Sequence, residues 1–339
     1  MLIEPLIRGR GQAGLAMAKA LSTISAIHPE IEILSPIWVA RETPLRSIAR
    51  NPKAKSLLLI ATPSALHARH ILEGEKAEFQ TIVAEKPACV SLAEIVRLRR
   101  VTSTVNICHG YRMMWGPQTI SAMIAAGELG SVFSIEGHYW QSSAAEKALS
   151  PKNNNSPKKW KNDASLSGPY DTLLDIGTHW VDLASFFARN PPRRISGWIS
   201  HVNAETRHRD THIHLDLEFP KSIRGVGSIS KTAHGSGNEL EIKIFGSQKS
   251  ISWSLQNPDI LQIGHGAELK LMRRSEMNWG SQQWPFHGMG WLEGYIEIIH
   301  QTILEMGGKA RRLPPTLKES LLLTESLLKA KLAENTPQN

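Results

Sequence analysis

The chain has 339 residues, of which 41% are hydrophobic and 21% charged, so it has room for two globular domains with substantial cores. No apolar run reaches the roughly 20 residues of a membrane helix, and the first residues show no secretory signal. Two cysteines predict no disulfide framework, and the net charge of +8 comes from scattered basic residues, so we expect a cytoplasmic protein that binds neither nucleic acid nor membrane.

The first third of the chain alternates short apolar runs with helical patterns. The predicted strands are residues 2–7, 32–40, 57–62, 80–85 and 105–110, and the predicted helices are residues 12–27, 65–72 and 92–100. Continuous apolar strands separated by helices are typical of a parallel sheet covered on both faces. We therefore predict an α/β protein whose residues 1–115 form a doubly wound Rossmann domain that binds a dinucleotide.

The second half changes to the alternating pattern of half-buried antiparallel strands. These predicted strands are residues 130–140, 194–202, 211–219, 223–231, 238–246 and 250–255. Helices are predicted from about Asp175 through WVDLASFFA, at 291–306 and at 316–334, and the polar stretch 144–168 is predicted to be a loop. Residues 116–339 should thus form an α+β domain with an open, mostly antiparallel sheet, used for substrate binding and oligomerisation.

A glycine motif follows the first predicted strand and opens the first helix. It consists of Gly9, Arg10, Gly11, Gln12, Ala13 and Gly14. In this context a G-x-G-x-x-G turn brings the backbone close to a pyrophosphate, which the N-terminus of the helix then binds. The alternative is a glycine-rich turn without a ligand, and Pro5 and Arg8 inside or beside the strand favour that alternative slightly.

The end of the second strand bears on which dinucleotide binds. An acidic residue there holds the ribose 2′-hydroxyl, whereas arginine suits a 2′-phosphate. The strand runs into Arg41, with Arg46 close behind and Glu42 one residue off the expected acidic position. We therefore predict NADP as the preferred cofactor and NAD as the alternative. Because too few residues separate Arg41 from Leu57 for a full crossover, the third strand of the fold is predicted to be missing or vestigial.

Two further segments lie at the carboxyl ends of predicted parallel strands, where ligands bind in such sheets. ATPSALH ends one strand and EKP ends the next. Their candidate cofactor-binding residues are Ala61, Thr62, Pro63, His67, Glu85 and Lys86. Lys86 is well placed to hydrogen-bond a substrate hydroxyl and to favour its developing negative charge. The alternative for Lys86 is a surface ion pair with Glu85.

Asp175 and His179 share one face of a predicted helix because they are four residues apart. Histidine is the natural proton acceptor from an alcohol near neutral pH, and the aspartate can bind a neighbouring hydroxyl and raise the basicity of the histidine. The alternative is an N-capping aspartate beside a packed histidine. We expect Lys86 and His179 to meet over the nicotinamide ring, each within hydrogen-bonding reach of one substrate oxygen.

Together these segments resemble the glucose–fructose oxidoreductase / inositol dehydrogenase (Gfo/Idh/MocA) family. The resemblance rests on GRGQAG, ATPSALH, EKP, HGYRMMWGP, GELGSV, SGPYDTLLDIGTH and WLEGY, which span nearly the whole chain. It implies that Lys86, Asp175 and His179 are the catalytic, substrate-contacting set. It also implies oxidation or reduction of sugars and cyclitols with NAD or NADP. The short segment after Arg41 and SGPYD, where a glycine-rich run is usual, depart from the family pattern.

Three more residues are candidates for substrate binding. Arg112 belongs to HGYRMMWGP, and Trp140 and Trp160 flank the 144–168 loop, where an indole could stack on a sugar. In THIHLDLEF, His212 and His214 alternate with carboxylates, but an exposed or subunit-facing strand explains them better than a metal site, so no metal is predicted.

The predicted function is an NAD(P)-dependent oxidoreductase that transfers a hydride between nicotinamide and a hydroxyl or carbonyl of a sugar, sugar derivative or cyclitol. The alternatives are a catalytically silent dinucleotide-binding sensor and an NAD-requiring glycosidase. Because the alternating strands leave one sheet face uncovered, we also predict a homodimer or homotetramer joined through that sheet.

Overall fold

The computed structural model describes residues 1–149, 163–201, 209–274 and 290–335. The chain divides into two compact units, Met1–Met113 with Met289–Thr324, and Met114–Gly288 with Glu325–Asn339. The sequence predicted a single boundary at 115/116 and did not anticipate that the chain returns to the first unit. Among the described helices, none has the length and apolar character needed to cross a membrane.

The described part of the chain contains nine α-helices and fifteen strands. The helices are α1 (Gln12–Ile27), α2 (His67–Lys76), α3 (Leu92–Leu98), α4 (Trp115–Ala125), α5 (Ser143–Leu149), α6 (Ala164–Ser167), α7 (Thr178–Ala188), α8 (Trp291–Met306) and α9 (Leu317–Leu328). The strands are β1 (Leu2–Arg8), β2 (Glu32–Ile33), β3 (Ile37–Val39), β4 (Lys55–Ile60), β5 (Thr81–Ala84), β6 (Thr104–Ile107), β7 (Val132–Trp140), β8 (Arg194–Ser200), β9 (His212–Glu218), β10 (Arg224–Ser230), β11 (Glu239–Gly246), β12 (Ser250–Ser254), β13 (Ile260–His265), β14 (Glu268–Arg273) and β15 (Lys331–Glu334).

The first unit is built on a parallel sheet of order β2-β1-β4-β5-β6, in which β3 also pairs with β1. Its strands are buried on both sides, as their continuous apolar sequences predict. Residues of α1 and α8, among them Met17, Ile24, Ile298 and Ile303, complete the core beside Ile3 and other strand residues. The apolar stripe of α8 therefore explains why the chain returns to this unit.

The second Rossmann strand is interrupted, and the third is absent as predicted. Residues 32–40 were expected to be one strand, but the pairing with β1 breaks at Leu34–Pro36, where Pro36 has no N–H to donate. Between Val39 and Lys55 the described chain forms only a short 3₁₀ turn, Leu45–Ser47, and no strand. The sheet thus lacks the edge strand that would follow β3.

The second unit is built on a mixed sheet of order β14-β13-β12-β11-β7-β10-β9-β8-β15. Among the described strand pairs of this second sheet, only β7–β10 and β8–β15 are parallel. One face is apolar and packs on α7, where Trp180 rests against Gly227, since a Cβ on that glycine would lie 2.7 Å from the indole. The predicted fold class, a Rossmann domain followed by an α+β domain with an open sheet, is confirmed.

Several local predictions were wrong. The helix predicted at 316–334 ends at Leu328, because residues 331–334 find a pairing partner in the edge strand β8. The predicted loop at 144–168 contains α5 and α6, since SAAEKAL is rich in strong helix formers, while residues 150–162 lie outside the described part of the chain. Strands β13, β14 and β15 were not predicted.

Candidate active site

The turn between β1 and α1 brings together three glycines with different surroundings. A Cβ on Gly9 would lie 2.3 Å from the Ala61 carbonyl oxygen, and one on Gly14 would lie 1.9 Å from the carbonyl oxygen of Gly9. Gly11 is the N-cap of α1 and has no neighbouring atom within 4 Å of its Cβ position. Packing therefore requires Gly9 and Gly14, whereas Gly11 leaves open space at a helix N-terminus. These residues fit the pyrophosphate of a dinucleotide.

The other residues of the glycine motif line the same turn. Arg10 and Gln12 are exposed and Ala13 is half-buried. The Arg10 guanidinium lies 5.4 Å from the centre of the Trp38 ring, a cation–π contact that ties the turn to β3.

Arg8 is a buried structural residue. From the sequence, its position before the first glycine was slight evidence against a dinucleotide site. Its guanidinium forms an ion pair with Glu73, at 2.6 Å between Nη1 and Oε2, and also donates to the Thr43 carbonyl. Arg8 therefore anchors the segment that follows β3, where the predicted 2′-phosphate ligands lie. The sequence offered no signal for this pairing because Arg8, Thr43 and Glu73 are far apart along the chain.

The two arginines proposed to bind a 2′-phosphate differ in their surroundings. Arg41 is exposed beside Glu42. Arg46 donates from Nε and Nη2 to the Lys76 carbonyl oxygen, at 2.8 and 2.7 Å. Because part of the Arg46 guanidinium is already bound to backbone, Arg41 is the better candidate of the two.

The loop that follows β4 contains Ala61, Thr62 and Pro63, all half-buried. Beneath it, the buried ring of His67 lies 2.7 Å from two carbonyl oxygens, that of Pro87 on Nδ1 and that of Thr62 on Nε2. Burial lowers the pKa of His67. The ring therefore holds together the loops that follow β4 and β5, and the cofactor contact of His67 stays a prediction.

The EKP segment follows β5 directly. The Glu85 carboxylate is buried and accepts hydrogen bonds from the Tyr295 hydroxyl and, at 3.1 Å, from the Lys86 backbone N–H. Burial and the nearby Glu85 carboxylate raise the pKa of Tyr295 well above its usual value. Lys86 is half-buried, and the Lys86–Pro87 peptide bond is cis. Glu85 thus fixes the backbone from which the Lys86 side chain extends.

Arg112, predicted to bind substrate, has a structural partner in the same unit. Its buried guanidinium donates from Nη1 to the Glu319 carboxylate at 2.9 Å. Burial raises the pKa of Glu319, but the charge of Arg112 and the hydrogen bonds from Thr316 and Arg112 outweigh this effect. The pKa of Glu319 is therefore lowered overall. This ion pair links the segment before α4 to α9, and the substrate contact of Arg112 stays a prediction.

In the second unit, Asp175 and His179 lie on a helical segment that changes its winding. Residues Leu173–Gly177 form a π-helical turn, which continues as α7 from Thr178. Such turns are rare and are frequent at functional sites. Asp175 and His179 are both half-buried, whereas the residues between them are buried. The two predicted catalytic side chains therefore reach the surface from an otherwise buried turn.

Lys231, immediately after β10, contacts this turn and was not predicted as a site residue. Its buried ammonium lies 2.7 Å from an oxygen of Asp171 and 3.0 Å from an oxygen of Asp175. The contact could not be anticipated, because more than fifty residues separate Lys231 from Asp175 along the chain.

The backbone before the π-helical turn is held by two neighbouring residues, Arg209 and Asp210. The buried Asp210 carboxylate accepts from the backbone N–H groups of Asp171 and Leu173, at 2.5 and 2.8 Å. Arg209 donates to the Gly168 carbonyl at 2.7 Å and to the Ser167 hydroxyl at 2.7 Å. The SGPYD segment, which departs from the glycine-rich family pattern, is thus fixed by side chains that precede β9.

The environment of His179 is aromatic and polar. The ring centroid of Tyr139 lies 6.1 Å from that of His179. The Tyr139 hydroxyl donates to the Asn238 side-chain oxygen at 2.6 Å, and Gln141 donates to the same oxygen at 2.7 Å. Tyr139 is therefore an aromatic neighbour of the predicted base, and Asn238, which also binds Gln141, fixes its hydroxyl; sequence reasoning missed all three.

Trp140 lies on the other side of β7 from Tyr139, since side chains alternate along a strand. Its indole stacks on His138 with centroids 3.8 Å apart and donates to the Ser228 hydroxyl at 3.0 Å. The Trp140 indole thus already stacks on a neighbouring ring, and its predicted contact with a sugar stays a prediction. Trp160 lies outside the described residues.

The histidines of β9 face the same side of the sheet as Trp140. The rings of His212 and His214 stack on Trp198, with centroids 5.3 and 5.8 Å away. Burial and the neighbouring His214 lower the pKa of His212. Aromatic stacking on a sheet surface explains this pattern in the described residues.

The chain is similar to known dehydrogenases in sequence and in fold. Residues 118–252 match the family model described as the GFO/IDH/MocA C-terminal domain. A levoglucosan dehydrogenase from Pseudarthrobacter phenanthrenivorans is 27% identical over 289 residues, which are 75% of this chain and 71% of that protein.

Solved structures agree in fold. An inositol dehydrogenase homologue from Azotobacter vinelandii, complexed with NAD+, superposes with a TM-score of 0.82 at 19% identity and covers 97% of this chain and 94% of its own. A levoglucosan dehydrogenase in complex with NADH gives a TM-score of 0.82 at 19% identity and covers 97% of this chain and 96% of its own. The sequence matches confirm the resemblance that the motifs indicated: the chain is similar to the Gfo/Idh/MocA family.

Proposed function

We propose that the chain is a nicotinamide-dependent dehydrogenase or reductase that acts on a hydroxyl or carbonyl group of a sugar, sugar derivative or cyclitol. The observation that carries the proposal is the glycine turn, in which Gly11 leaves open space at the start of α1 while Gly9 and Gly14 are required by packing. The names of the relatives, which include a levoglucosan dehydrogenase and an inositol dehydrogenase homologue, support a polyhydroxylated substrate.

Each of three residues has a defined role in the proposed reaction. His179 accepts the proton of the reacting hydroxyl, or returns it in the opposite direction. Lys86 hydrogen-bonds the same oxygen and stabilises its developing negative charge. Asp175 binds an adjacent hydroxyl and favours the protonated form of His179. A bound nicotinamide supplies the hydride acceptor or donor.

We propose NADP as the preferred cofactor, with NAD as the alternative. The exposed Arg41 supports NADP, because it lies two residues after the end of β3 and is available to a 2′-phosphate. The exposed Glu42 and the NAD(H) complexes of the similar structures support NAD. Measuring the affinity of the purified protein for both nucleotides decides between them.

The test of the proposed function is incubation of the protein with NAD or NADP and a panel of sugars and cyclitols. Nicotinamide absorbance reports net oxidation, and chromatography reports cleavage of glycosidic bonds. Net reduction of the nucleotide with at least one polyol supports the proposal. Cleavage without net reduction identifies the glycosidase alternative, and nucleotide binding without either reaction identifies the sensor.

A further inference from the structure

The Lys231 ammonium is buried between two carboxylates, one of which belongs to the proposed catalytic set. The Lys231 side chain is 6% exposed, and those of Asp171 and Asp175 are 17% and 21% exposed. A lysine in so little contact with water needs opposite charges nearby. Asp171 and Asp175 supply these charges from the turn that leads to His179.

The surrounding charges keep Lys231 protonated. Burial lowers the pKa of Lys231, but the carboxylates of Asp175 and Asp171 reverse this effect, so that its pKa is raised overall. Asp210 also interacts electrostatically with Asp171 and Lys231, and burial raises the pKa of Asp210. Lys231 is thus the cation within a group of three aspartates, and its removal would leave their negative charges close together.

The ammonium of Lys231 is not needed to hold the backbone of the turn. Asp210 accepts from the backbone N–H groups there, and Arg209 binds the preceding carbonyl. The backbone of Lys231 itself pairs independently of its side chain, with its N–H donating to the Thr211 carbonyl and its carbonyl accepting from Ala144. Among the described residues, the polar contacts of the ammonium are with carboxylate oxygens alone.

We propose that Lys231 is a positioning residue that keeps the Asp175 carboxylate ionised and aimed at the substrate. The inference rests on the proposed function, because Asp175 matters to catalysis only if the protein is a dehydrogenase. Asp171 is the second ligand of the ammonium and competes with Asp175 for its charge. The two neighbours therefore have opposite effects on Asp175, Lys231 favouring its ionised form and Asp171 disfavouring it.

The test compares Lys231→Met and Asp171→Asn with the parent protein. Lys231→Met should lower kcat/KM about 10- to 100-fold, the loss expected for one charge-assisted hydrogen bond. It should also move the acid limb of the pH profile of kcat/KM to higher pH by about 1–3 units. The reason is that Asp175 loses the positive charge that favours its ionised form. Asp171→Asn should move the limb to lower pH. A purely structural role of Lys231 predicts no such opposite displacement.

Lys249→Met is the matched control, because it removes a lysine–carboxylate pair of the same unit, with Glu128 at 3.1 Å. Its pH profile should equal that of the parent. If Lys231→Met fails to fold, Lys231→Gln takes its place: a limb at higher pH than in the parent supports the inference, and an unmoved limb overturns it. Equal profiles for Lys231→Met and Lys249→Met also overturn it.

A second readout separates this inference from the proposed function. Carbon-13 labelling of aspartate side chains, with the Asp175 signal assigned by its absence in Asp175→Asn, follows the ionisation of Asp175 without any substrate. In Lys231→Met the signal should titrate at higher pH than in the parent. Titration at the same pH refutes the inference even if the protein is an active dehydrogenase. If the Asp175 signal titrates at higher pH in Lys231→Met but the parent oxidises no polyol, the inference about Lys231 and Asp175 stands and the proposed function is refuted.

Discussion

A histidine that takes a proton from an alcohol needs a polar group beside it to stabilise the charge it gains. His179 lies in the first turn of α7, four residues after Asp175 of the π-helical turn, with the Tyr139 ring 6.1 Å from its own. We expect His179→Ala to lower kcat by about 10²–10⁴-fold, the usual loss on removing a positioned general base. Dinucleotide affinity should barely change, since the pyrophosphate is proposed to bind at Gly11. Steady-state kinetics and nucleotide titration measure both effects.

The control for this variant is His265→Ala, which removes an exposed histidine at the end of β13. It should leave kcat and nucleotide affinity unchanged. A parent-like kcat in His179→Ala would rule out this histidine as the base.

The cofactor preference can be tested on single arginines. Arg41→Ala should weaken NADP binding about 10- to 100-fold, because an arginine–phosphate contact is charge-assisted, and should hardly affect NAD. Arg46→Ala should have a smaller effect, because its guanidinium already binds the Lys76 carbonyl. Isothermal titration with both nucleotides measures the difference. Equal losses for NAD and NADP in Arg41→Ala, or tighter binding of NAD by the parent, contradict the NADP assignment.

His70 makes the stability of the first unit depend on pH. Its ring is buried and accepts or donates one hydrogen bond with the Thr62 hydroxyl at 3.0 Å. Burial, with a contribution from Arg8, lowers the pKa of His70 from 6.5 to about 4. A group whose pKa is lower in the folded state favours unfolding once the unfolded chain takes up the proton. The free energy of unfolding should therefore be undiminished by His70 above pH 6.5, and it should decrease as the pH falls from 6.5 towards 4.

The predicted slope from His70 is at most about 1.4 kcal/mol per pH unit. Urea unfolding at several pH values should give a shallower acid loss of stability for His70→Gln than for the parent. His300, whose pKa is also lowered to about 4, contributes separately, so part of the loss should remain. His265→Gln, at an exposed position, should reproduce the parent curve. An unchanged slope in His70→Gln would show that this ring is not responsible.

At the scale of the element, different glycines of the turn before α1 serve packing and the proposed ligand binding. Gly11→Ala adds a methyl group in open space, so the melting temperature should stay close to that of the parent. Dinucleotide affinity should fall at least about tenfold, since the methyl group occupies the space proposed for the pyrophosphate. Thermal unfolding and nucleotide titration on the same sample measure both.

Gly14→Ala is the matched variant, because its methyl group would meet the Gly9 carbonyl oxygen at 1.9 Å. This variant should lose stability, since the backbone must move to relieve the clash. If Gly11→Ala binds nucleotide as tightly as the parent, the turn is a glycine-rich loop without a ligand.

The elements that sequence patterns could predict are those with a strong local signal. Continuous apolar strands identified the parallel sheet, and the spacing of apolar residues identified α8 with both its ends. Strand β14 was missed because nearly all its side chains are exposed, so it shows no apolar alternation. Strand β15 was missed because its conformation depends on pairing with β8, which lies far away along the chain. Tertiary pairing overrides the local helical preference of KLAE there.

At the scale of the whole molecule, the residues of the candidate site could likewise be predicted only where they belong to a local sequence motif. Lys86, Asp175 and His179 stand in recognisable motifs and could be proposed from sequence. Lys231 and Asn238 have no motif, and only the fold brings them to Asp175 and Tyr139. Tyr139 was missed because the sequence does not show which side of β7 faces His179, and the alternation along the strand places Trp140 on the other side.

The nine described strands of the second unit present two different faces. One face buries Ile213, Leu215 and Leu217. The other, here called the open face, carries the aromatic residues His138, Trp140, Trp198, His212 and His214, all half-buried. Large indoles on a sheet surface are typical of an interface between protein chains. We therefore predict a homodimer or homotetramer joined through the open face, since a surface that binds its own copy forms a closed, symmetric assembly.

Light scattering coupled to size exclusion should give a mass of two or four chains at micromolar concentration. Trp198→Glu should shift the assembly towards monomer, because a carboxylate on the open face would be buried without a partner at a cost of several kcal/mol. Val96→Glu, at an exposed apolar position of α3, is the control and should leave the mass unchanged. A monomeric parent would refute the prediction. An intact oligomer in Trp198→Glu would show that the chains join elsewhere, and that the stacking of Trp198 with His212 and His214 serves the fold of a single chain.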